Sequence, residues 1–200
     1  MLEGLKQAGA EPGDLVLWEN LYDARSLLLT PQTTTPYAFA EINVKVEPVI
    51  VEVPAGALVG AVDDAFFRWV TDFGATGPNQ GKGGKYVFVG PDYAGALPDG
   101  YRVINTPTFR NWMFLRALVK NGDLEAATEG LRTQFRIYPL SKLGNPPKGR
   151  VVNASGATIN TIHANDYSFY EELNAVIQYE PANAFNPELV GLFASIGIKK

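Results

Sequence analysis

The sequence predicts an α+β protein, an antiparallel β-rich body followed by a helix and a helical C-terminal arm, and three observations carry that expectation. Between Ala38 and Lys45 apolar and polar positions alternate with period two, and two denser apolar runs, Val49–Val53 and Trp112–Val119, follow downstream. From Asp123 onward the apolar spacing changes to three and four. Between these regimes lies Gly74–Tyr86, with five glycines and two lysines in thirteen residues. Such a stretch cannot pack as a core element and reads as a shaped, polar loop.

Taken in order, the chain opens with a short helical or irregular lead-in, and Asp14 to Leu29 fits no single period. Thr30 to Pro36 is turn-rich, because proline fixes its own φ and holds the preceding residue extended. In the strand that follows, Ala38, Ala40, Ile42 and Val44 share one face, and Phe39, Glu41, Asn43 and Lys45 the other. Val49–Val53 is β-branched and closed by Pro54, so an antiparallel hairpin with the preceding strand is expected. Val62 to Val70 fits a strand with Phe67 and Trp69 on one face, or a helix joining Phe66 to Val70; its β-rich neighbours favour the strand. Lys85–Val89 and Tyr101–Asn105 are strands bounded by Gly90-Pro91 and Pro98-Asp99-Gly100. Trp112–Val119 reads as a central strand in which Arg116 needs a partner.

Asp123 is an expected N-cap, with Glu125 beside it and Leu124, Ala127, Leu131 and Phe135 on one helical face. The loop Leu143 to Gly149, rich in proline and glycine, divides a β-rich domain (residues 1–143) from a helical linker or arm (144–200). Asp166 should cap one arm helix, and Asn186-Pro187 should start another that Gly197 ends.

Composition narrows the function classes. At 200 residues and 46% hydrophobic, the chain can build its own core, and with no cysteine it has neither disulfides nor thiolate chemistry. A net charge of −4 without a basic stripe argues against nucleic acid as partner. The longest apolar run spans about eight residues, against roughly 20 for a membrane span. The N-terminus lacks the basic and apolar regions of a secretory signal, and the abrupt apolar C-terminus reads as a truncated or split product. The compartment stays open.

No catalytic motif survives inspection. A phosphate loop fails, because Gly77 precedes Gly81-Lys82 by three residues rather than four and Gly83 replaces the hydroxyl. A dinucleotide fingerprint fails for want of its third glycine and of a parallel βαβ setting. Serine elbows are absent. His163, the single histidine, precedes a helix cap and suits a packing or capping role. Asp63 and Asp64 point to opposite strand faces unless the backbone bulges, so one of them pairs with Arg68 or solvent. Asp64 and Asp72 are the candidate catalytic carboxylates, and with loop carbonyls they are also the candidate ligands of a divalent cation. The aromatics Tyr37, Phe66, Phe67, Trp69, Tyr86, Tyr93, Tyr101 and Trp112 crowd the β-rich part. A few on a sheet face beside polar loops would suit sugars or other amphipathic ligands.

Thr30–Tyr37, Glu47–Pro54, Asp63–Tyr86, Gly100-Tyr101 and Ile137–Leu140, in that order, resemble the bacterial family named domain of unknown function 1254, over roughly residues 15 to 143. Gln32 departs from the asparagine that many relatives carry. The resemblance implies that Asn160 to Ile198 leads toward a second, jelly-roll-like domain of unknown function 1214, and that relatives are often exported or envelope-associated. It implies no activity. Three functions remain. The first is a binding module for a small polar or carbohydrate-like ligand, gripped near Tyr37, Arg68, Asp72, Lys82, Lys85 and Tyr86. The second is a metal-assisted hydrolase using Asp64 or Asp72 and completed by the second domain. The third is a structural half that forms an interdomain or homo-oligomer surface.

Overall fold

The computed structural model describes residues 1–28 and 31–200. Leu29 and Thr30, at the seam between the aperiodic segment and the turn-rich opening motif, lie outside them. Among the described residues the fold is α+β, with twelve strands and four α-helices. No helix among them is long and apolar enough to cross a membrane.

Helix α1 (Leu2–Gln7) leads into β1 (Leu15–Trp18) and the short β2 (Ser26–Leu27). Then come β3 (Tyr37–Asn43), β4 (Val49–Val53), β5 (Leu58–Asp64), β6 (Trp69–Gly74), β7 (Gly84–Val89), β8 (Arg102–Asn105) and β9 (Arg110–Ala117). Helix α2 (Leu124–Gln134) precedes β10 (Arg136–Pro139), β11 (Val151–Asn153) and β12 (Ile159–Asn160), and the arm carries α3 (Ser168–Tyr179) and α4 (Pro187–Ser195). Three sheets result: six strands in the order β11-β1-β3-β9-β5-β6, four in the order β10-β4-β7-β8, and the pair β12-β2.

The core lies where the two larger sheets face each other. Ala38, Ala40 and Ile42 of β3 and Met113, Leu115 and Ala117 of β9 meet Val49, Val51 and Val53 of β4 and Tyr86 and Phe88 of β7. Period-two alternation therefore predicts the inward face of β3 correctly. Leu131 of α2 and Phe135 join the same core. Asp123 caps α2 as expected, accepting from Ala126 N at 3.0 Å.

The expected hairpin of β3 with β4 is not formed. β3 pairs with β1 and β9, whereas β4 pairs with β10 and β7 in the opposite sheet. Four of the five β4 residues are buried, which a strand covered on both faces requires and a half-exposed hairpin arm does not. The link through Val46 and Pro48 thus crosses from one sheet to the other. The run Val62 to Val70 is not one strand either. It contains the end of β5, a turn at Ala65–Arg68 and the start of β6, with a bulge at Val62/Asp63. Antiparallel pairing dominates, but β7–β8, β1–β11 and β2–β12 are parallel.

The arm docks on the body through named contacts. Phe66 packs edge-on against Phe185, with ring centroids 5.0 Å apart, in a cluster with Ile177 and Phe193. Buried Glu180 accepts from Phe109 N at 2.5 Å and from Arg110 N at 3.2 Å. Tyr179 places its hydroxyl 2.8 Å from Asn43 Nδ2 and its ring under Lys45 Nζ at 3.9 Å. Asn186 caps α4 by accepting from Leu189 N. At α3 the Asp166 carboxylate accepts from Ser168 N, while Tyr167 occupies the cap position itself.

Candidate functional site

On the outer face of the six-stranded sheet, strand register builds a band of aromatic and charged side chains, whose β3 end is covered where Phe39 is buried with Leu5 of α1, Trp18 and Tyr22 in a second core. Along β9, Trp112, Phe114 and Arg116 alternate with the buried Met113, Leu115 and Ala117. Cross-strand partners share a face, so Tyr37 stands beside Arg116, Phe39 beside Phe114, and Glu41 beside Trp112. On the other flank Asp63 is opposite Trp112, and β6 adds Trp69 opposite Asp63 and Asp72 opposite Ala61. The rings form a continuous series: Phe39 and Trp112 stack at 6.3 Å, Trp112 and Phe114 at 5.3 Å, and Phe67 leans on Trp112 at 5.0 Å. Phe67 and Trp69 are 68% and 66% exposed, an unusual state for rings of that size.

Polar groups are set among the rings. Trp69 Nε1 donates to Asp72 Oδ1 at 3.0 Å. The Asp63 carboxyl is pushed up from its ordinary value, first by burial and then by the charges of Asp64 and Asp72. Arg116 Nε donates to Thr35 Oγ1 at 3.2 Å, which supplies the partner that this arginine needs. Among the described residues, the buried Nε1 of Trp112 has no hydrogen-bond partner.

The neighbouring turn explains Asp64. It is fully buried, and its Oδ1 accepts from Phe66 N at 2.8 Å and Arg68 N at 3.0 Å while Oδ2 takes Arg68 Nε at 2.6 Å. These bonds hold Phe67 at φ 58°, the left-handed geometry that lifts its ring toward Trp112. Asp64 and Arg68 thus shape the turn, and Arg68 Nη1 reaches on to Ala184 O in the arm at 3.4 Å.

The glycine-rich stretch forms a second surface. Its backbone is laced by Gly77 N to Gly74 O, Gly81 N to Gly74 O and Lys82 N to Asn79 O, and Gly56 N donates to Gly81 O. Asn79 lies directly over Gly84, where a Cβ would meet its Nδ2 at 1.7 Å. Between this loop and the start of β8 opens a cleft of about 790 Å³, lined by Asn79, Gln80, Lys82, Lys85, Tyr101 and Arg102 among others.

The six expected binding residues therefore do not form one site. Tyr37 and Asp72 lie on the outer face of the large sheet, Arg68 in the turn beside it, and Lys82 and Lys85 in the cleft. Tyr86 points into the core, where its ring packs on Phe73 at 4.7 Å. Phe114, Arg102, Asn79 and Gln80 join the two surfaces although the sequence does not mark them as binding residues, while Asp63, one of three clustered carboxylates in the sequence, joins the sheet face; the alternation of Arg110 to Ala117 places Phe114 with Trp112, but the rest depend on register. His163 is exposed, with Nδ1 at 2.8 Å from Ala164 O and its ring on Phe169. Among the described residues, no three His, Asp or Glu side chains gather closely enough to hold a metal ion.

A family model described as "Protein of unknown function (DUF1254)" matches residues 12–139. Among solved structures, the chain is similar to the VPA0106 protein from Vibrio parahaemolyticus, with 22% identity and a TM-score of 0.63 over 89% of this chain and 44% of that one. At that identity the likeness shows the fold alone, and this chain spans less than half the length of that protein. No curated protein matches.

Proposed function

Since the chain belongs to the DUF1254 family, whose description assigns no activity, we propose from the geometry that it is a binding module for a small polar, carbohydrate-like ligand held on the outer face of the six-stranded sheet. The observation that carries this reading is the pairing of exposed Trp69 with Asp72 beside Asp63 and Trp112. A pyranose offers an apolar C–H face to an aromatic ring and hydroxyls to carboxylates at its edge, and such a surface answers both. Tyr37 and Arg116 extend the band along β3 and β9.

Tryptophan fluorescence during titration with the neutral trisaccharides cellotriose, maltotriose and N,N′,N″-triacetylchitotriose tests the proposal. At least one should quench saturably, and Trp69→Ala and Asp72→Asn should each weaken that response about tenfold, the value of one stacking or charge-assisted contact. Saturable quenching by none of the three, or quenching indifferent to both substitutions, removes the reading.

An interaction surface on the arm is a second reading, favoured by Tyr167 and Leu192, which are 77% and 63% exposed. Sedimentation velocity of the intact chain should then show self-association that Leu192→Glu reduces; a monomer at every concentration would argue against a homo-oligomer through this face. The metal-assisted hydrolase gains no comparable observation, because Asp64 is spent on its turn.

A further inference from the structure

We infer that the cleft beside the glycine loop is a site for the anionic group, a carboxylate, sulfate or phosphate, of a small molecule. The lining is rich in donors. Lys82, Lys85 and Arg102 bring three positive charges to one cleft in a chain whose net charge is −4. Asn79 and Gln80 add amide groups from the loop wall. Among the described residues Lys82 and Arg102 take part in no ion pair, and Lys85 has only Glu52 at 3.9 Å. Within the chain, no side-chain hydrogen bond engages Asn79, Gln80, Lys82 or Arg102 among the described residues. An oxyanion offers what this cluster lacks, several acceptor lone pairs carrying negative charge.

The scaffold is built rather than incidental. Backbone bonds tie residues 74, 77 and 81 together and fasten the loop to Gly56, so Lys82 leaves a fixed turn rather than a free tip. Lys85 and Tyr101 hold the opposite wall, with Lys85 Nζ 5.7 Å from the Tyr101 ring centroid. A volume of about 790 Å³ suits a small molecule. A long polyanion fits poorly, since the rest of the chain is acidic and would repel it. This site shares no residue with the sheet face proposed for the neutral sugar, so each can fail alone.

The test is a ¹⁵N chemical-shift titration of the intact chain at constant ionic strength with inorganic phosphate, sulfate, citrate and glucuronate, and with chloride as control. The expected result is saturable shifts in residues 79–85 and 100–103 with at least one oxyanion; which one saturates separates phosphate-bearing from carboxylate-bearing ligands. Lys82→Gln and Arg102→Gln, both exposed, should leave the melting temperature unchanged and weaken binding about tenfold each, whereas Trp69→Ala should not alter it. Shifts that grow linearly without saturation, that chloride reproduces, or that persist in the double variant would overturn the assignment.

Discussion

Asp64 and Asp72 lie on neighbouring strands of one hairpin, yet their surroundings give them different duties. Asp64 accepts two backbone N–H groups and a guanidinium while fully buried. Asp64→Asn keeps the shape but loses the charge on three bonds, and should destabilise the chain by about 2 kcal/mol, discounted because Arg68 is half exposed. Thermal unfolding should register about 4–8 °C. Asp72→Asn should change the melting temperature little, since Asp72 serves one exposed indole. Equal effects on stability would refute the division of roles. Glu180 offers a pH test. Burial raises its pKa above the usual value of 4.5, although Phe109 N, Arg110 N and the charges of Arg110 and Lys45 pull it back. With the folded value above the unfolded one, the folded chain binds the proton more tightly, so stability falls as pH rises from 4.5 through the raised value. Urea midpoints of Glu180→Gln should lack that decline, and parallel curves for the two proteins would contradict it.

Elements with their own signals were legible in the sequence. Asp123 announced α2, Asn186-Pro187 announced α4, and Gly90-Pro91 ended β7, because each signal acts on its own backbone. What the sequence hid was which strand lies beside which. Val49–Val53 carries no mark distinguishing a hairpin partner of β3 from a strand of the facing sheet; only its burial on both sides settles that. The binding residues suffered the same loss, since Tyr37, Asp72 and Lys82 are brought together or kept apart by register alone, and Tyr86 falls inward by its parity on β7. The glycine loop was recognisable as shaped, and its first glycine can be told apart by substitution from Gly100, in the turn before β8. At Gly74, φ is 72° and a Cβ would lie 1.9 Å from Leu58 O, whereas Gly100, with φ 80°, faces open space. Gly74→Ala should therefore cost upward of about 2 kcal/mol and Gly100→Ala about 1 kcal/mol in chemical denaturation. Equal costs would mean that the β5–β6 end relaxes freely.

At the scale of the whole molecule, residues 151–160 join the body through β11 and β12, whereas α3 and α4 are held by a few concentrated contacts around Tyr179, Glu180 and Phe185. Tyr179 meets Lys45 and also Arg110, whose guanidinium carbon lies 4.1 Å from the ring centroid. Tyr179→Ala should loosen α3 and α4 without unfolding the body, so limited proteolysis would cut within 161–168 faster while the fragment carrying β1 to β12 persists. Unchanged cutting would show that Phe66 and Phe185 suffice. The parallel pairing of β11 with β1 has a consequence for how this chain comes into being. Leu15 meets Val151, its partner about 135 residues later, and a ribosome adding about 5–20 residues per second needs roughly 7–27 s to supply it. Throughout that interval the nascent sheet presents β1 as an unmatched rim, long enough for a chaperone or another nascent chain to claim it.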